Sequence, residues 1–329
     1  MSRYPFTDCL NEYMPAEYGH ISTETYKTTK RHLARIGRAF TLLKDRGDVS
    51  TDNPKRITAR DVDAYVGYRK ASGVKNTTIL KELGLLKKML AYFGNDAVSA
   101  FKVKYPAHYP RKYQRRASSL DGEVVDRILA LAMEVPVMDW KKSEAYGLVC
   151  LAICTGLRPK ELRMMYLDNV HVGGGRAEVY AVHVKGENSY GVARWIPVHP
   201  DGVPVLERYL EARAFKLSLC GRRSDALFPP IRGTAEFVGY NMIEKLKKVV
   251  EEDVGEPFDL RKCRRTFGQR ALDDGQDIHN VSLVMGHSSI STTQRYYCDK
   301  DGRSASDEMT EFWEKTRHME DARFFSRNP

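Results

Sequence analysis

The sequence lacks the cysteine patterns of a metal site or of a disulfide framework. Its six cysteines include no CxxC pair and no pairing with histidines at zinc-ligand spacing. Cys150 and Cys154 stand one helical turn apart in an apolar run, where small thiols are usually buried. We therefore expect reduced thiols, no metal site and no cofactor.

Long apolar stretches are also missing. No segment approaches the roughly 20 apolar residues of a membrane span, and residues 1–13 lack an apolar stretch of signal-peptide length. The sequence contains no internal repeat and no low-complexity tract. These absences lead us to expect a soluble cytoplasmic protein with no membrane partner.

The composition is that of a folded protein whose charge is unevenly distributed along the chain. The 329 residues are enough for two domains of ordinary size. Hydrophobic residues make up 42% of them, so most of the chain should fold. Residues 1–116 hold 23 Lys and Arg against 11 Asp and Glu, whereas the remainder holds 30 against 32. A basic domain beside a near-neutral one indicates a polyanionic partner, of which nucleic acid is the commonest. A charged face that only aids solubility is the alternative.

Amphipathic helices are predicted in the first hundred residues. Apolar side chains recur every three or four residues from Thr25 to Lys44 and again from Ile79 to Phe93. Between these stripes, Thr58 and Asp61 form the pattern of a capping box. The spacing predicts a small helical bundle over residues 1–100. Three lysines off the second stripe could lie along DNA phosphates or simply face solvent, namely Lys81, Lys87 and Lys88.

Residues 101–117 are predicted to be a basic linker. Between Phe101 and Arg116 the helical periodicity fails, and prolines and aromatic residues alternate with basic ones. This composition argues against a helix and supplies enough positive charge to follow a DNA backbone, although an exposed hinge can also be basic by chance. The candidate DNA-binding residues of this linker are Arg111, Lys112, Arg115 and Arg116.

A second domain is predicted over residues 118–329. A helix capped near Asp121 comes first, and residues 145–153 are apolar nearly all round, as a central buried helix would be. Residues 178–184 and 195–198 are typical of two antiparallel strands joined by a polar turn. The two domains together predict a mainly α fold with a small antiparallel β-sheet, in the α+β class.

Two charged residues of this domain stand at junctions between elements. The central helix should end at Thr155-Gly156, which places Arg158 on the turn into a helix opened by Pro159. Glu161 could hold the Arg158 guanidinium through a bidentate pair. Lys185 lies where the first strand meets its turn, although an exposed hairpin lysine usually serves solubility alone.

A third candidate segment is residues 261–267. Four of its first five residues are basic, which by itself could be only a nucleic-acid patch. A helix should follow, and a second helix should end at Met285. Gly286-His287 comes next and, nine residues beyond the histidine, Tyr296. Two arginines, an imidazole and a phenol in this order are the groups needed to attack a phosphodiester and to hold the pentacoordinate phosphorus that results.

With these residues the chain resembles the tyrosine recombinase family, and specifically the phage-type and archaeal integrases. The resemblance is strong over about residues 118–300, where the run from Met285 to Thr293 with Tyr296 is highly specific, and weaker over residues 20–115. It implies a SAM-like helical core-binding domain followed by a catalytic domain. The catalytic set that it implies is Arg158, Lys185, Arg264, His287 and Tyr296, to which we add Arg261.

One position departs from the family pattern, because Arg261 stands where the family commonly has a histidine. An alternative register would make Arg261 the second arginine. The string that begins at Arg264 fits the family's Arg-His-Thr-Phe far better, and the 23 residues from Arg264 to His287 agree with the family. Tyr297 competes with Tyr296 as the nucleophile, and the spacing favours Tyr296.

The resemblance implies a site-specific recombinase or integrase of a mobile element or virus. It would cleave and rejoin double-stranded attachment sites through a 3′-phosphotyrosine, without ATP or metal, as a dimer or tetramer associated with the nucleoid. An amphipathic C-terminal helix from Ala305 to Trp313 could dock on a neighbouring protomer or close its own domain. Two alternatives stay open: a type IB topoisomerase that relaxes supercoils, and a DNA-binding regulator that kept the fold and lost catalysis.

Overall fold

The computed structural model describes residues 5–112, 118–187, 191–287 and 289–297, together with Thr310; of residues 295–297 it describes the helical backbone only. The chain divides into two compact units, Met1–Gln114 and Arg115–Pro329, and each unit has its own hydrophobic core. Helices dominate both units, and the second also contains a three-stranded antiparallel sheet. The predicted mainly α fold with a small antiparallel sheet is confirmed.

Five helices form the first unit within the described residues. They are α1 (Pro5–Glu17), α2 (Thr23–Asp45), α3 (Ala59–Ala71), α4 (Asn76–Tyr92) and α5 (Ala97–Lys104). The predicted helices correspond to α2, α3 and α4, and the capping box between Thr58 and Asp61 is formed at the start of α3. Burial of the apolar stripes holds the bundle together, since Ile36, Val62 and Leu86 are all fully buried.

The predicted linker is wrong for its first residues. Residues 101–104 belong to α5, and Phe101 is fully buried in the core of the first unit. Tyr105 and Tyr109 pack against the same core. The aromatic residues that interrupt the helical pattern of the sequence therefore anchor the end of the first unit, because their burial rather than a periodic stripe stabilises this segment.

The second unit is built around one central helix. Its helices, within the described residues, are α6 (Gly122–Glu134), α7 (Trp140–Thr155), α8 (Pro159–Arg163), α9 (Val203–Leu219), α10 (Tyr240–Val254), α11 (Leu260–Asp273), α12 (Ile278–Met285) and α13 (Ile290–Tyr297). The predicted central helix is confirmed as α7, which is buried from Ser143 to Thr155 and packed by α6, α9, α10 and α11. In the described parts of both units, no helix is long and apolar enough to cross a membrane.

The sheet comprises β1 (Val170–Gly173), β2 (Arg176–Ala181) and β3 (Arg194–Pro197), with β2 in the middle. β2 and β3 correspond to the two predicted strands, although each begins and ends earlier than predicted, and their pairing runs to Ala181 opposite Arg194. β1 is an additional strand. It is joined to β2 by Gly174 and Gly175, whose φ angles of 60° and 74° suit a two-residue hairpin that favours glycine.

Candidate active site

The end of α7 fixes the position of the first predicted arginine. Gly156 caps α7 in the left-handed conformation with φ 63°, and a Cβ atom on it would lie 2.6 Å from the Phe267 ring. Glycine is therefore needed both for the backbone turn and for the close approach of α11. The chain then enters α8, with Arg158 as N-cap and Pro159 as the first helical residue. The Arg158 side chain is 24% exposed, so it reaches solvent from a fixed helix junction.

Glu161 is buried and contacts two arginines. Its Oε1 accepts a hydrogen bond from Arg158 Nη1 at 2.8 Å, and its Oε2 accepts one from the Arg158 backbone N–H at 2.9 Å. The predicted bidentate pair with Arg158 is therefore wrong. That arrangement is made by Arg194 instead, whose Nη1 and Nη2 lie 3.3 Å from Oε1 and 3.1 Å from Oε2. Burial alone would raise the pKa of Glu161, but Arg194 and Arg158 outweigh it and lower that pKa.

Arg194 is a site residue that the sequence reasoning missed. Its Nε donates to the Val284 carbonyl at 2.6 Å, and its Nη2 donates to the Met285 carbonyl at 3.2 Å. The available signal was the alternation along β3, where Arg194 shares the inward face with Ile196 while Trp195 is exposed. An arginine on the buried face of a strand needs buried partners, so its position indicates a polar cluster beneath the sheet.

Arg264 lies on α11 and is 6% exposed. Its Nη1 donates to the Gly156 carbonyl at 2.6 Å, and its Nη2 donates to the Met285 carbonyl and lies 3.0 Å from His287 Nε2. Arg158 also reaches this place, because its Nη2 donates to the carbonyl next to His287, that of Gly286, at 2.7 Å. The structure thus brings the two predicted arginines and the predicted histidine together.

The hydrogen bonds of His287 define its tautomer. His287 follows α12, which ends at Gly286 in the left-handed conformation with φ 64°. Because a guanidinium only donates hydrogen bonds, His287 Nε2 accepts from Arg264, and the ring proton of the neutral imidazole lies on Nδ1. Nδ1 then donates to Thr293 Oγ1 on α13 at 2.9 Å. The imidazole is held from both sides.

Burial, together with the positive charge around His287, controls its protonation. Burial lowers the pKa of His287, and three guanidiniums lower it further, to about 3. These guanidiniums belong, in decreasing order of effect, to Arg264, Arg158 and Arg194, and Glu161 opposes them. His287 is therefore neutral near neutral pH, which makes it a weak base in the free protein.

Two other predicted catalytic residues, Lys185 and Arg261, are exposed. Lys185 is exposed in the turn that follows β2, and Glu187 in the same turn contacts Lys160 of α8, with Oε2 3.3 Å from Nζ. Arg261 is exposed in the first turn of α11, three residues before Arg264. Residues with this spacing lie on the same side of a helix. Their predicted catalytic roles stay predictions.

Tyr296 lies on α13, whose helical backbone begins three residues after His287. The hydrogen bond from His287 to Thr293 joins this helix to the cluster. The side chains of Tyr296 and of its competitor Tyr297 lie outside the described residues, so the choice between them stays a prediction. The predicted helix from Ala305 to Trp313 also lies outside the described residues, apart from Thr310.

The predicted DNA-binding residues of the first unit are exposed where the structure describes them. These are Lys81, Lys87 and Lys88 on α4 and, after α5, Arg111 and Lys112. Lys81 and Lys88 line a groove of about 460 Å³ between α4 and α2, together with His32. Arg115 and Arg116 lie outside the described residues. The predicted contacts with DNA stay predictions.

A model of the phage integrase family matches residues 118–303, which is more than half of the chain. The chain therefore belongs to this family, the tyrosine recombinases, whose members are enzymes that cleave and rejoin DNA. Among its relatives, tyrosine recombinase XerD of Listeria monocytogenes serotype 4b is 24% identical over 277 residues, covering 84% of this chain and 88% of the relative. XerD of Pseudomonas aeruginosa is 29% identical over 234 residues, covering 70% and 74%.

Solved structures of recombinases share the fold. The XerH site-specific recombinase bound to a palindromic difH substrate superposes with a TM-score of 0.65 at 14% identity, covering 93% of this chain and 84% of that one. The Tn1549 transposon integrase in complex with transposon right-end DNA gives 0.65 at 15%, covering 94% and 99%. A lambda integrase dimer bound to a core site gives 0.63 at 16%, covering 90% and 78%.

Proposed function

We propose that this protein is a site-specific recombinase that cuts and rejoins duplex DNA through a 3′-phosphotyrosine at Tyr296, with neither ATP nor a metal ion. The observation that carries the proposal is the convergence of Arg158, Arg264 and His287, in which Arg264 Nη2 lies 3.0 Å from His287 Nε2. Family membership makes DNA cleavage and rejoining the reaction. The start of α13 next to His287 supports Tyr296 as the nucleophile.

The two arginines would stabilise the negative charge that develops on the non-bridging oxygens of the phosphorane. A guanidinium carries five N–H donors and a permanent charge, and Arg158 uses two side-chain donors, on Glu161 and on the Gly286 carbonyl. Donors therefore remain for the non-bridging oxygens, which gain negative charge in the phosphorane, so these hydrogen bonds strengthen in the transition state. The same positive field favours the phenolate form of Tyr296.

The departing 5′ oxygen needs a proton, and we assign this step to Lys185. Its exposed position on a turn that contacts α8 allows it to approach DNA at the cluster. Arg261 would donate hydrogen bonds to phosphate but exchange no proton, since a guanidinium stays charged in proteins. Because the covalent phosphotyrosine conserves the energy of the phosphodiester, rejoining needs no external energy source.

The first unit would hold the duplex through its exposed basic residues, as the helical arm of a clamp. Residues 1–100, the basic segment after them and residues 118–329 would act as DNA-binding domain, linker and catalytic domain, with the linker shortened by α5. A dimer or tetramer on DNA is supported by the lambda integrase dimer bound to its core site. Action on DNA attachment sites in the cytoplasm, and origin from a mobile element, belong to the same proposal.

A pool of nicked suicide duplexes with a randomised binding segment tests the proposal. Wild-type protein should become covalently linked to a subset of duplexes, which SDS-resistant isolation and sequencing would identify. Tyr296→Phe should bind the enriched duplex and form no covalent complex. Mass spectrometry should place the nucleotide on Tyr296; a link at Tyr297 would contradict the assignment.

Two outcomes would replace the proposal. Specific binding of wild-type protein without any covalent complex would indicate a DNA-binding regulator. A covalent complex together with relaxation of supercoiled DNA, but without strand exchange between two copies of the enriched site, would indicate a topoisomerase.

A further inference from the structure

Arg194 joins three parts of the second unit. It begins β3 and pairs with Ala181 at the end of the ladder, at the base of the turn that carries Lys185. Its guanidinium extends to Glu161 of α8 and to the carbonyls of Val284 and Met285, with donor–acceptor distances from 2.6 to 3.3 Å. Its side chain is 12% exposed, so these contacts are mostly shielded from water.

The carbonyls that Arg194 contacts belong to the last turn of α12. Carbonyls at a helix C-terminus have no partner within the helix and carry its partial negative charge, so a cation there is favourable. Met285 also accepts from Arg264. Gly286 permits the close approach, because a Cβ atom there would lie 2.7 Å from Arg194 Cζ. Arg194 therefore secures the segment that leads into His287.

Arg194 also balances Glu161. This carboxylate is fully buried, and each of its oxygens accepts one hydrogen bond from Arg158 and one from Arg194, so removal of Arg194 would take away half of these hydrogen bonds. The set of Arg158, Arg194 and Glu161 carries one net positive charge. Without Arg194, the Glu161 carboxylate would attract the Arg158 guanidinium alone. His287 would also lose Arg194 itself, which is one of the three cations that surround it.

We propose that Arg194 is a positioning residue for strand cleavage: by holding Glu161 and the end of α12 together, it orients Arg158 and His287 and connects them to the base of the Lys185 turn. This inference rests on the proposed function. In this role Arg194 does not contact the phosphate itself. Its effect should therefore appear in the rate of cleavage rather than in the affinity for DNA.

Two variants test the inference on the suicide duplex enriched by the wild type, under single-turnover conditions. Arg194→Met should cleave about 100-fold more slowly, since a displacement near 1 Å costs about that factor, while its Kd for the duplex stays within about 3-fold. Arg194→Lys keeps the charge but loses the planar fork, so it should cleave at an intermediate rate. The pKa of His287, followed by NMR, should rise in Arg194→Met because a cation is removed.

Arg213 of α9 provides a matched control. It is 5% exposed and likewise donates to backbone carbonyls, those of Ser224, Ala226 and Leu227. Arg213→Lys should lower thermal stability, yet the cleavage rate per folded molecule and the pKa of His287 should stay at wild-type values.

Wild-type cleavage by both Arg194 variants would overturn the inference, as would an equal loss in Arg213→Lys. A slow Arg194→Met variant with an unchanged His287 pKa would also overturn it, by indicating a general structural defect. Failure of the proposed function is recognised separately, because the wild-type protein itself would then form no covalent complex.

Discussion

Binding of DNA should raise the pKa of His287. In the free protein the imidazole is surrounded by guanidiniums and partly buried, and its pKa is about 3. A phosphate bound by the same guanidiniums introduces a negative charge beside the ring, and an opposite charge nearby favours the protonated form. The direction of the change is therefore upward.

The distances allow an order-of-magnitude estimate. Arg264 Nη2 is 3.0 Å from His287 Nε2, so an oxygen held by the same guanidinium would lie about 5 Å from the ring. Two unit charges about 5 Å apart interact by about 3 kcal/mol at an effective dielectric of about 20, which is about 2 pKa units. The pKa of His287 should rise from about 3 to about 5. At pH 5, the charged fraction should increase from about 1% to about half.

NMR of protein with 13C-labelled histidine measures this change. The Tyr296→Phe variant would be titrated with and without the enriched duplex, and His287→Asn would assign the signal. A duplex with an uncharged methylphosphonate at the cleavage position is the matched control, because it keeps the shape and removes the charge. An equal rise with both duplexes, or no rise with either, would refute the reasoning.

Three further predictions concern single substitutions. Arg261→His should keep cleavage of the suicide duplex near the wild-type rate, whereas Arg261→Ala should slow it by loss of phosphate hydrogen bonds; equal rates of Ala and wild type would remove Arg261 from the mechanism. Gly286→Ala, with φ 64° and a Cβ 2.7 Å from Arg194 Cζ, should lose about 1–3 kcal/mol in urea unfolding and cleave more slowly; wild-type stability would contradict the close contact. Burial raises the pKa of Glu144 to about 8, so the folded state retains a proton that the unfolded state releases above about pH 4.5, and stability should fall as pH rises from about 4.5 to 8. The wild-type protein should lose as much as about 4 kcal/mol of unfolding free energy between pH 4 and pH 8. Glu144→Gln should abolish this loss, whereas the matching substitution of Gln at exposed Glu211 should leave it unchanged. Parallel pH profiles of wild type and Glu144→Gln would contradict a buried, protonated carboxyl.

Periodic burial made much of the fold predictable. The stripe through Ile36 and the stripe through Leu86 encode their helices locally, because every third or fourth residue must face the core. The central position of α7 follows from a sequence that is apolar all round. The helical position of Phe101 is not predictable from the local pattern, because its burial depends on packing by other helices.

The site was predictable where a residue stands at an element boundary. Arg158 follows a glycine cap and precedes a helix-opening proline, so its place is set by local signals. Arg194 carries no such signal beyond the alternation of a four-residue strand. Its role arises from contacts with residues 33 and 90 positions away, Glu161 and Val284. Such a network forms only when the chain is folded, so the sequence does not identify Arg194 as the bidentate partner of Glu161.

The protonation of the cluster bears on how the nucleophile is activated. A phenol with a pKa near 10 needs either a base or a field that favours phenolate. Among the described residues of the cluster, Glu161 is shared by two guanidiniums, and His287 accepts from Arg264 with a pKa of about 3. Neither is suited to take a proton near neutral pH in the free protein. Because guanidiniums keep their charge in proteins, the proposed nucleophile Tyr296 would be activated by charge, and the cleavage rate should depend more on Arg158 and Arg264 than on the imidazole.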